Sequence, residues 1–106
     1  MTKKQFEKVM RHSMHRRELV FGRKQAEYAP TGDNVFHNFE RAAAMQGISR
    51  EEALRGMMVK HLVSIFDMID GAAEGKSYPR EVIDQKLGDM DIYNLLLEGM
   101  FVEGAQ

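Results

Sequence analysis

Six positions near the end of the chain, Ile83, Leu87, Met90, Asn94, Leu97 and Phe101, alternate by four and three residues. That is a heptad seam, a pattern that only a helix places on one face. Its one polar member is Asn94. An Asn on such a seam needs a partner, and between paired helices it fixes register at some cost in stability. A second stripe, Val82, Asp89, Tyr93, Leu96 and Met100, flanks the first. The helix therefore faces neighbours on two sides, as a central bundle helix or a dimer helix does.

The remaining segments fit an all-α frame. The two prolines, Pro30 and Pro79, stand where a helix should be absent or beginning. Thr2 with Gln5 forms a capping box, so a first helix spans about 3–26, with Phe6, Val9, Met10, Met14, Val20 and Phe21 at rough helical period. The segment YAPTGD breaks it through Pro30 and Gly32. Asp33 is positioned as N-cap of a helix over 34–46 with Phe36, Phe39 and Ala43 on one face, and Gly47 stops it. Ser49 with Glu52 caps a third helix over about 50–70. Leu54, Met57, Met58, His61, Leu62, Ile65, Phe66 and Ile69 give it a wide apolar stripe. Pro79 falls in the first turn of the last helix, over about 79–102. The expectation is one all-α domain over 1–106, four-helix bundle-like and oligomeric, because so short a chain buries only a small core.

Charge is unevenly spread. Residues 1–24 carry eight Lys/Arg against Glu7 and Glu18, a balance of +6, and the remainder carries −7. A basic arm on an acidic body attracts phosphates, docks on a neighbouring copy, or is simply a solvated face. The basic helix lacks an aromatic-interleaved or helix-turn-helix context, which argues against nucleic acid as partner. No apolar run approaches the ~18 residues of a membrane span, and MTKKQFEKVMRH lacks the apolar segment of a secretory signal. With no cysteine, disulfides and thiolate metal sites are excluded, and a cytoplasmic setting is expected.

Few residues carry chemistry. No nucleophile elbow or Gly-rich phosphate loop occurs, and APTGDN lacks the lysine of a phosphate loop. His12 and His15 are close enough on one helix to share a ligand, but Arg11, Arg16 and Arg17 around them repel a cation. His61 on the apolar face suits either a hydrogen-bonded core role or a ligand contact. Asp67/Asp70 and Glu81/Asp84 are each spaced by three and flank one loop. Such pairs fit both a magnesium cage, completed by Asp89, and plain solvated helix ends.

KLGDMDIYNLLL resembles the second metal-binding helix of the MazG-like all-α nucleoside triphosphate pyrophosphohydrolases. Leu87, Gly88 and Asp89 match that family's Glu-Glu-Leu-Gly-Asp pattern, but Gln85 and Lys86 replace its two acids. MMVKHLVSIFDMID likewise lacks the Glu-x-x-Glu pair of the family's earlier helix. A closer likeness is to small phage and prophage proteins related to that superfamily. It rests on Lys24-Gln-Ala-Glu27-Tyr28, Asn38-Phe39, Met57-Met58-Val59-Lys60 and Asp89-Met-Asp-Ile-Tyr93. The resemblance implies nucleotide-related ancestry with a degenerate metal motif, in a host-cell cytoplasm.

Those residues make physical sense as a ligand set. Lys24 and Lys60 neutralise phosphates, and Arg23 can add to them. Tyr28 and Tyr93 stack on a base or bond a sugar, and Asn38 reads a base edge. Glu27, His61 and Asp89 complete the set. The same residues also fit a buried polar network built on a Lys60–Asp89 ion pair. The expectation is a phage-type protein binding a nucleotide or other phosphate ligand, with weak or no hydrolase activity and no cofactor. Two alternatives stand beside it. One is a magnesium-dependent pyrophosphohydrolase using Asp67, Asp70, Glu81, Asp84 or Asp89. The other is a methionine-rich interaction protein that inhibits a host defence factor.

Overall fold

The computed structural model describes residues 1–28 and 32–105, without the side chains of Ala26 and Tyr28. Four helices make up the described chain: α1 Lys3–Tyr28, α2 His37–Gln46, α3 Arg50–Ala73 and α4 Arg80–Gly104. Their ends follow from local hydrogen bonds. At α1 the Thr2 amide donates to Gln5 Oε1 at 2.8 Å and the Gln5 amide to Thr2 Oγ1 at 3.1 Å, the reciprocal box the sequence suggests. At α3 the Ser49 and Glu52 pair does the same, at 3.1 and 3.2 Å.

Helix α2 begins later than the sequence suggests. Asp33 does not cap it; Asn34 organises the entry instead. Its Oδ1 accepts from the Phe36 amide at 3.0 Å and its Nδ2 donates to Glu40 Oε1 at 2.9 Å. An Asn side chain that bonds the backbone two residues on holds a turn, so residues 34–36 do not join the helix. Gly47 ends α2 with φ +68°, a left-handed conformation that glycine adopts without strain. Two ends of the last helices also move. Helix α3 continues past Asp70 to Ala73, where Tyr78 closes over Gly71 and donates to the Met68 carbonyl at 3.1 Å. Pro79 caps α4 rather than entering its first turn. Pro30 lies outside the described residues.

The core is small. Phe36, Phe39, Leu54, Ile92, Leu96 and Met100 are buried together, with Val20, Phe21, Met58, Tyr93 and Leu97 packed around them. Arg50 roofs one end. Its guanidinium lies 5.0 Å above the Phe36 ring and bonds Glu103 at 2.6 Å and the Met100 carbonyl at 3.2 Å. Helix α3 packs on α2 and α4, and α1 packs on α4. Helices α1 and α4 run in the same direction, since His12 meets Asp84 while Phe21 and Gln25 lie beside Leu95 and Gly99.

Three predicted stripes are corrected. In α4 the face that enters the core is Gly88, Ile92, Leu96 and Met100, one helical row spaced by four. The heptad seam enters the core only in part: Leu97 touches it, whereas Asn94 is exposed and Phe101 keeps 60% of its surface. In α3, Leu54 is fully buried and Met58, His61, Leu62 and Ile65 are half-buried, while Met57, Phe66 and Ile69 are exposed. In α1, Val20 and Phe21 reach the core but Phe6, Val9, Met10 and Met14 stay exposed.

Candidate functional site

Asp84 and Asp91 are seven residues apart, which puts them two turns apart on one face of α4. Arg16 of α1 lies across that face and links them. Its Nη1 donates to Asp84 Oδ1 at 3.1 Å and its Nη2 to Asp91 Oδ2 at 3.0 Å, with Ser13 Oγ accepting from Nη2 at 3.2 Å. The Arg16 stem passes over Gly88, between the two acids. Arg17 adds a bond to the other Asp91 oxygen at 3.3 Å. Burial works against the Arg16 charge, but hydrogen bonds and attraction from the two carboxylates outweigh it and raise its pKa further. Burial also pushes Asp84 up. Hydrogen bonds from His12 and Arg16, with Arg80 nearby, overcome that and hold it below the usual carboxylate range. His12 Nε2 stands 2.9 Å from Asp84 and 3.0 Å from Arg80 Nε. A single ring nitrogen serves one of the two at a time: protonated it donates to Asp84, deprotonated it accepts from Arg80.

The clamp residues His12, Arg16 and Asp84 themselves line one part of a groove of about 440 Å³ between α1 and α4. His15, Arg23 and Lys24 line it from α1, and Gln85 and Asp89 from α4. His15 and Arg23 are exposed at its mouth. Lys24 pairs with Glu27, also in the lining, at 2.9 Å. A second, apolar cavity of about 410 Å³ continues along the same two helices between Phe21, Val35, Phe36, Leu95 and Gly99. Gly99 permits this shape, since a Cβ there would stand 3.0 Å from the Phe36 ring. Lys24 borders both cavities.

Asp89 also joins a polar cluster between α3 and α4. His61 Nδ1 stands 3.4 Å from Asp89 Oδ2, and His61 Nε2 is 3.1 Å from the Tyr93 hydroxyl. The rings are 4.9 Å apart and tilted by 52°. With its proton on Nδ1, His61 accepts from the Tyr93 hydroxyl at Nε2 and turns its N–H side toward the Asp89 carboxylate. Burial, and then the Asp89 charge, raise the Tyr93 pKa, with Lys24 partly offsetting them.

The structure thus brings Lys24, Glu27, Asp89, His61 and Tyr93 into one neighbourhood. Asn38 and Lys60 are exposed away from it, and the Tyr28 side chain lies outside the described residues. The expected Lys60–Asp89 pair gives way to His61–Asp89, because position 61, not 60, falls on the α4-facing side of α3. Asp67, Asp70 and Glu81 are exposed, Asp67 within α3 and the other two near helix ends. Among the described residues no three His, Asp or Glu side chains meet as metal ligands. Sequence reasoning missed the pairing of Arg16 with Asp91, because the two residues lie 75 positions apart on different helices. Comparison with family models, curated proteins and solved structures finds no match. No described helix is long and apolar enough to cross a membrane.

Proposed function

We propose that the protein binds a phosphate-bearing ligand of nucleotide type in the α1–α4 groove, with weak or no hydrolase activity. The observation that carries this reading is Lys24, which stands between a groove edged by Arg23 and His15 and an apolar cavity walled by Phe21 and Phe36. A nucleotide has that division: charged phosphates for the basic end and a flat base for the apolar end. Gln85 offers amide donors where the MazG-like pattern has an acid, which favours contact with phosphate oxygens over a bound magnesium. The same reading keeps the kinship with MazG-like and phage proteins, a host-cell cytoplasmic setting and a homo-oligomeric form. Calorimetric titration of nucleotides against bare pyrophosphate tests it. Tighter binding of the nucleotides, weakened by Arg23→Glu, supports the reading, and no heat from any of them removes it.

A second reading, inhibition of a host factor, draws on one feature. The first turns of α1 expose Phe6, Val9 and Met10 among Lys3, Lys4, Lys8 and Arg11, a basic apolar surface suited to an acidic protein partner. Pull-down from host lysate with and without residues 1–11 tests it: retention of one partner by the full chain alone supports it, and equal recovery by both removes it.

A further inference from the structure

We infer that the heptad seam of α4 is a dimer face, paired in parallel with the same seam of a second copy, so that Asn94 meets Asn94. This rests on the homo-oligomeric form proposed above and not on the ligand. The seam positions Leu87, Asn94 and Phe101 are spaced by seven and all exposed, while Ile83, Met90 and Leu97 beside them are half-buried. A helix needs only one apolar row for its own core, and α4 supplies that with Gly88, Ile92, Leu96 and Met100. The seam is a second row in the four-three alternation of paired helices; Leu97 on it touches the core, while Leu87, Asn94 and Phe101 meet no helix of their own chain closely enough to be covered. It contains no charged residue, so two copies meet without opposed like charges.

A second copy is the occupant the seam itself specifies. A single Asn in the middle of an apolar seam is satisfied best by another Asn at the same level, and a parallel, in-register pair of identical helices supplies it while keeping every other seam position matched with itself. From Ile83 to Phe101 the seam runs roughly 27 Å. Phe66 and Ile69 of α3, the helix packed beside α4, add further exposed apolar side chains.

The chain has no cysteine, so one introduced cysteine reports the pairing cleanly. Light scattering of the native chain, mild oxidation of Asn94→Cys, and sizing of Leu87→Glu form the test. Met45→Cys, 81% exposed on α2, serves as control. Asn94 and Leu87 are exposed in the single chain, so the substitutions leave the core intact, which circular dichroism verifies. The proposal expects a dimer, near-complete disulfide linkage through position 94 with little through position 45, and a monomer for Leu87→Glu. A monomeric native chain overturns both the pairing and the homo-oligomeric form. A dimer that resists both the 94 crosslink and the Glu substitution overturns the seam alone and leaves self-association standing.

Discussion

Arg16 and Asp91 meet at 3.0 Å with side chains only 10% and 12% exposed, which makes this the most enclosed ion pair between two described helices. Removing Arg16 takes the shared cation from two carboxylates and leaves Asp91 with Arg17 alone and Asp84 with His12 and Arg80, so the loss exceeds that of a surface pair. Arg16→Ala is expected to lower unfolding stability by about 3 kcal/mol in urea titration. Arg17→Ala, which loses a half-exposed contact to the same acid, should cost less than about 1 kcal/mol.

Acid should weaken this clamp in a defined direction. The folded-state pKa of Asp84 is depressed, so its contribution is present above the unfolded value and lost as pH falls through the folded one. Glu52 is lowered too, by the backbone and side-chain hydrogen bonds of its capping box. Midpoints in urea are expected to hold steady above about pH 5 and to drop below about pH 4. Asp84→Asn should flatten that drop in part.

The cap itself can be measured. Ser49→Ala removes the hydroxyl that accepts from the Glu52 amide at the start of α3, and should cost about 1 kcal/mol. Leu54→Ala, one turn further on and fully buried, should cost about 3 kcal/mol through the cavity it leaves. Thermal and urea unfolding of the two variants compare them directly.

The Tyr93–His61–Asp89 cluster predicts a titration. Tyr93 should ionise above the ordinary tyrosine range, because burial and the Asp89 charge both disfavour the phenolate. Asp89→Asn should bring the titration down without restoring the ordinary value, since burial is the larger cause. Carbon NMR of the tyrosine rings follows each hydroxyl separately.

Much of the frame was legible because short-range rules govern it. Thr2/Gln5 and Ser49/Glu52 mark helix starts by bonds spanning three residues, and Gly47 marks a stop by its own backbone. The Asn34 turn was not legible, because Asp33 is an equally good cap by composition and only the fold chooses between them. The two apolar rows of α4 could be seen, but not which one entered the core. That depends on where α1 and α3 settle. Lys24, Glu27 and Asp89 were named and do border one groove, whereas Lys60 and Asn38 do not. The difference is a matter of helix rotation, where one residue is about 100°. Arg16 escaped notice because its partners are on another helix, beyond any local spacing rule.

A phosphate-binding α1–α4 groove is the central expectation for this protein. The most direct measurement is calorimetric titration of the native chain and of Arg23→Glu with nucleoside triphosphates and with pyrophosphate alone. Saturable binding is expected, tighter for the nucleotides than for pyrophosphate, and about ten-fold weaker in the variant, the equivalent of ~1.4 kcal/mol. Equal binding by both chains, or no binding by the native one, would contradict it.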